Sequence, residues 1–145
     1  MALNKSSLKS ISRICLALSF LDGDVDPAEV AAFELAIRDL GVSKSEVSEL
    51  IKSALRDVQS HARNLDGLIS SECKKISKSQ HARLFEAAAH MVLADGELTD
   101  AECERLAALR AFLGLPEAAA YAIVASVAHA EPSLEVQITK AVLTA

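Results

Sequence analysis

The chain has 145 residues and a mass of 15.4 kDa, enough for one domain with a proper core and room for two small halves. Hydrophobic residues make up 51% and charged residues 24%, which excludes low-complexity disorder. Aromatics are only 3%, with no Trp, so the core must be aliphatic and rich in helix-favouring Ala and Leu.

Taken in chain order, Leu8, Ile11, Cys15 and Leu18 open with an apolar stripe at helical spacing. Lys5, Lys9 and Arg13 before the apolar residues 14–21 imitate a secretory leader. The run is short, however, lacks a small-x-small cleavage site and keeps helical periodicity, so a soluble cytoplasmic protein is expected. Val30, Phe33, Ile37 and Leu40 predict a second helix, ended by Gly41 as a left-handed cap. Val47, Leu50, Ile51, Ala54, Leu55 and Val58 predict a third. Leu65, Leu68, Ile69, Cys73 and Ile76 predict a linking helix over about 62–77, followed by a polar stretch at 77–80.

Three further stripes follow: Leu84, Ala88, Met91 and Val92; Cys103, Leu106, Leu109 and Leu113; and Tyr121, Val124 and Val127, with Pro116 in that helix's first turn. Residues 133–143 suggest a short last helix behind Pro132. No segment shows sustained period-2 alternation, and no apolar run is long enough to span a bilayer. The expected fold is all-α, a compact bundle of about seven to eight helices in a single domain over 1–145.

Shifting the chain by 73 positions aligns it with itself without a gap. Asp22-Gly23-Asp24-Val25 falls on Asp95-Gly96-Glu97-Leu98, and Leu40-Gly41-Val42 on Leu113-Gly114-Leu115. Ile11 meets Leu84, Cys15 meets Ala88, and Leu50-Ile51 meets Ile123-Val124. Two similar three-helix units are therefore expected, at about 8–58 and 81–131, joined by the linking helix.

The two repeated loops carry the strongest chemical signal. Asp22, Asp24, Asp26 and Glu29 put four acids into eight residues, as do Asp95, Glu97, Asp100 and Glu102. Such clusters repel unless screened or bound to a cation, and Ca²⁺ and Mg²⁺ take just these carboxylate oxygens. All eight are candidate metal ligands, for Ca²⁺ or Mg²⁺ ahead of Zn²⁺. Helix capping accounts for part of the pattern without any metal. Asp26 with Glu29, and Thr99 with Glu102, form capping boxes, and Pro27 suits a first helical position. Asp22 and Asp95 are not so explained, because each ends an incoming helix where the dipole opposes a carboxylate. An EF-hand register fails, because positions 1 and 3 would fall on Leu18 and Phe20, and on Met91 and Leu93.

The duplicated pattern of helix, Asp-Gly, Glu seven residues after the Asp, helix and apolar-Gly-apolar resembles the TerB-like tellurite-resistance family over about residues 8–130. The likeness is best from Ala94-Asp95-Gly96-Glu97-Leu98 to Leu113-Gly114-Leu115. The resemblance implies an all-helical, internally duplicated fold, and acidic motif residues proposed as metal ligands, here Asp22, Glu29, Asp95 and Glu102. It also implies a role in metal-linked stress response and in complexes near the membrane. The first copy departs in having Ser43 where the second has Pro116, and residues 132–145 fall outside the shared pattern.

Other features point elsewhere or nowhere. Fifteen basic against twenty acidic residues give a net charge of −5, the wrong sign for a general nucleic-acid binder, and no aromatic ladder offers stacking. Cys15, Cys73 and Cys103 have no CxxC spacing and read as reduced buried thiols. His61, His81, His90 and His129 show no zinc-ligand spacing. No phosphate loop, nucleophile elbow or Cys-His pair is present, so no catalysis is expected. The alternative to a cation-binding module is a metal-independent scaffold for a protein partner. The small side chains of residues 118–130 would also allow close packing in a homodimer.

Overall fold

A computed structural model describes residues 5–20, 27–93 and 100–127, with only the backbone described for 100–102. The described residues form seven α-helices and one 3₁₀ turn, with no strand among them. The helices are α1 (Lys5–Phe20), α2 (Pro27–Arg38), α3 (Lys44–Ser60), α4 (Leu65–Cys73), α5 (His81–Val92), α6 (Asp100–Leu113) and α7 (Glu117–Val127), and Lys78–Gln80 make the 3₁₀ turn. The expected all-α bundle is what forms. The suggested helix at 133–143 lies outside the described residues.

Two helices occupy the middle. On α1, eleven side chains from Ser7 to Ser19 are buried, while Lys9 stays exposed and Arg13 half-buried. A helix buried over most of its surface has to be largely apolar, which is why this segment imitates a leader in sequence. Its serines are accommodated because their hydroxyls find acceptors: Ser12 Oγ, for instance, donates to Leu8 O at 2.8 Å, one turn back. The second central helix, α5, buries Leu84, Phe85, Ala87, Ala88, Ala89, Met91 and Val92. Helices α3 and α4 pack on α1, and α7 and α6 pack on α5.

Helix α2 does not stay with its neighbours in sequence. It buries only Glu29, Phe33 and Ile37, a single line at four-residue spacing, and lays it chiefly on α5. The first residues of α2 and α6, Pro27 and Asp100, stand in register under the 73-residue shift, as do Lys44 and Glu117, which open α3 and α7. The buried apolar side chains nevertheless form one cluster running through all the helices.

Caps set the lengths. Gly41 takes φ 92° and Gly114 φ 69°, the left-handed conformation expected after α2 and found again after α6. Ser43 caps α3 by accepting from the Glu46 N–H at 3.3 Å. Pro116 sits one residue ahead of α7 and accepts from the Ala120 N–H at 3.0 Å, so it starts that helix from the cap position. The linking helix is shorter than the expected 62–77. Asn64 starts it by accepting from the Gly67 N–H at 3.2 Å, and a Cβ at Gly67 would collide with the Asn64 side chain.

Candidate functional site

Of the eight acidic candidates, Glu29 is the one whose side chain is described. It is the third residue of α2 and is only 6% exposed. A carboxylate in that position is favoured by the dipole of the first turn, but burial is costly unless its oxygens are hydrogen-bonded. Ser19, in the last turn of α1 and 1% exposed, donates its hydroxyl to Glu29 Oε1 at 2.7 Å. This short, charge-assisted bond ties the end of α1 to the start of α2. The segment between them, 21–26, carries Asp22, Asp24 and Asp26.

Those three residues, with Asp95 and Glu97, lie outside the described residues. Asp100 and Glu102 are described in their backbone only, in the first turn of α6. The chemistry of the donor set is uniform: carboxylate oxygens, without thiol or imidazole, suited to a hard cation. Among the described residues no three His, Cys, Asp or Glu side chains are gathered as a metal cluster.

The residues that break the EF-hand register are core side chains. Leu18 is 2% exposed and Met91 fully buried, while Phe20 and Leu93 are half-buried against the core. The histidines are occupied elsewhere. His61 Nδ1 lies 2.8 Å from Asp57 O, His81 Nε2 lies 3.2 Å from Ile76 O, and His90 Nε2 is 3.9 Å from Glu86 Oε1 on its own helix. His129 lies outside the described residues.

Sequence reasoning missed Ser19, and it missed a second buried carboxylate altogether. Glu72 on α4 is 3% exposed and accepts from Ser10 Oγ at 2.7 Å, Arg13 Nη1 at 2.9 Å and Lys75 Nζ at 3.2 Å. Arg13 also donates through Nε to Asp57 Oδ2 on α3 at 2.8 Å. Burial opposes ionisation of Glu72, but the hydrogen bonds from Ser10, Lys75 and Arg13, with the charge of Arg13, overcome it and hold the carboxyl below its usual range. This network fastens α1, α3 and α4 together. Both Glu72 oxygens meet side-chain donors and Arg13 reaches both acids, which is the signature of a structural tie. The signal for Ser19 was present in sequence as a hydroxyl in the last turn of an apolar helix, ten residues before an acid.

Among the described residues, no helix is long and apolar enough to cross a membrane. A family model described as "Tellurite resistance protein TerB" matches residues 9–125. No curated protein and no solved structure matches the chain.

Proposed function

The chain belongs to the TerB tellurite-resistance family, and on that premise we propose that it is a non-catalytic helical module that binds a divalent cation in a metal-linked stress response. The observation that carries the reading is Glu29, a carboxylate kept buried and hydrogen-bonded beside a segment with three more acids. Ser19 engages Oε1, and a carboxylate has lone pairs for further partners. The ligands would be Asp22, Asp24, Asp26 and Glu29 in the first loop, with Asp95, Glu97, Asp100 and Glu102 in the second. A bound Ca²⁺ or Mg²⁺ would supply positive charge that offsets the repulsion among these acids. The protein's own part is to fix where the first acidic segment leaves α1 and enters α2.

The setting that goes with this role is the cytoplasm, with a protein partner or a second copy receiving the signal. Cys15 and Cys73 are unbridged, as a reducing compartment requires.

One observation favours a second reading, a metal-independent interaction scaffold: Glu29 already has a hydrogen-bond donor and a helix N-terminus without any cation. Thermal melting after chelation separates the two, with Ca²⁺, Mg²⁺, Mn²⁺ and Zn²⁺ returned singly to wild type and to an Asp22→Asn/Asp95→Asn variant. A cation at 100 times its dissociation constant stabilises the fold by about 2.7 kcal/mol, which raises Tm by roughly 5–12 °C at this size. That rise in wild type and its loss in the variant are expected. Identical melting with every cation would leave the acids as caps and solvated surface.

A further inference from the structure

Helices α1 and α3 enclose a cleft of about 780 Å³ whose floor is Leu8 and Leu50. That volume lies in the range of specific binding pockets, roughly 300–1,000 Å³. On each helix the cleft residues precede Arg13 or Asp57, which pair at 2.8 Å, so α1 and α3 run the same way along it. Lys9 therefore stands about level with Ser53 and Arg56. Glu49 is seven residues before Arg56, and Glu46 seven before Ser53, which puts the acids about 10 Å nearer the helix starts. Lys5 faces them from α1. One end of the cleft thus carries two cations and a hydroxyl, and the other carries two acids against one lysine.

All five charged side chains are exposed, and among the described residues none of them makes a hydrogen bond or ion pair. Opposite charges line one cleft without neutralising each other. We propose that this cleft docks an amphipathic helix of a partner protein, one that carries a basic and an acidic side chain about seven residues apart beside an apolar stripe. The acid of the partner goes to Lys9 and Arg56, its base to Glu46 and Glu49, and its stripe to Leu8, Leu50 and the lysine stems. A helix is the occupant because the two walls are themselves helices. Along their length their main-chain groups are paired internally, so they offer no edge to an extended peptide. A helical guest satisfies its own backbone and is read through side chains alone. No lining residue belongs to the acidic loops, so this assignment stands or falls independently of cation binding.

The test is fluorescence anisotropy on the full chain with labelled Ala-rich helical peptides of about 18 residues, blocked at both ends. Each carries leucines at helical spacing and two positions about two turns apart filled Lys/Glu, Lys/Lys, Glu/Glu or Gln/Gln. The Lys/Glu peptide should bind about fivefold or more tighter than the other three, by a margin that shrinks as salt is added. Lys9→Glu/Arg56→Glu should transfer the preference to Lys/Lys, and Glu46→Lys/Glu49→Lys should transfer it to Glu/Glu. These four side chains are exposed, and either variant reads the same idea should the other fail to fold.

Equal binding of all four peptides to wild type would mean apolar adhesion and overturn the proposal, as would no binding at millimolar peptide. A preference unchanged in both variants would place the contact elsewhere on the molecule. If 8-aminooctanoate binds as tightly as the Lys/Glu peptide, the cleft takes a small zwitterion and the helix is wrong. A chain that sediments as a dimer, dissociated by Lys9→Glu/Arg56→Glu, would put a second copy there instead of a partner.

Discussion

Replacing Glu72 by Ala is the sharpest test of how the bundle is held together. The side chain receives three hydrogen bonds while 4% exposed, so its removal orphans several groups at once. Breaking a fully buried ion pair from one side costs about 3–5 kcal/mol. Here the figure must be discounted, because Arg13 is 26% exposed and keeps Asp57 at 2.8 Å. Lys75 is 57% exposed, and a bond of that kind contributes at most about 1 kcal/mol. Loss of the Ser10 bond adds about 1 kcal/mol.

The net expectation for Glu72→Ala is a loss of about 2–3 kcal/mol, or roughly 6–12 °C in Tm at this chain length. Glu72→Gln keeps the shape and one acceptor but not the charge, and should lose about half as much. The assay is urea denaturation with thermal melting as a second probe, completed by a double-mutant cycle with Arg13→Met. Because the folded carboxyl sits below its ordinary value, its contribution is complete above the unfolded value of about 4.3 and is lost as pH falls through the lower folded value. Wild type should therefore lose stability below that point more steeply than Glu72→Gln. The reasoning is refuted if Glu72→Gln melts within 1 °C (about 0.3 kcal/mol) of wild type and the cycle shows no coupling between Arg13 and Glu72.

Gly41→Ala should destabilise by about 1–2 kcal/mol, since φ 92° is strained for any Cβ and nothing lies within 4 Å to add a clash; unchanged stability in urea would contradict that. Burial pushes the Cys15 thiol far up, with Cys73 near enough to add to it, and burial followed by the charge of Glu72 pushes Cys73 up to about 11. At pH 8 a disulfide reagent should therefore label half-buried Cys103 first and reach Cys15 and Cys73 only as the protein unfolds; peptide mapping that finds Cys15 labelled as fast as Cys103 would refute it.

The helices were legible where periodicity and caps agreed. Phe33, Ile37 and Gly41 announce both the buried line of α2 and its end, and the structure buries the first two and gives the third its positive φ. The central place of α1 was half-legible, because a largely apolar segment suits either a leader or a buried helix and only spacing tells them apart. What the sequence could not show is pairing across distance. Arg13, Asp57 and Glu72 are ordinary charges, and nothing in their own neighbourhoods says that three helices bring them together. The same holds for the site. Four acids in eight residues mark the loop, but that Glu29 is buried and met by Ser19 depends on how α1 and α2 join. The Ser/Lys stretch at 77–80 reads as polar connection, yet Lys78–Gln80 turns as a short 3₁₀ lead into α5.

The seating of α2 on α5 bears on how the chain matures during synthesis. The ribosome releases α2 well before its seat exists, since α5 begins more than forty residues downstream. At about 5–20 residues per second, the line of Phe33 and Ile37 waits roughly two to nine seconds without its mate. Helices α3 and α4 can close on α1 in that interval, while α2 remains an amphipathic strand of chain looking for apolar surface. A truncation ending before His81 would hold that condition permanently, leaving α2 to chaperones, to self-association or to proteases. The N-terminal portion thus depends for its solubility on residues that have yet to be translated.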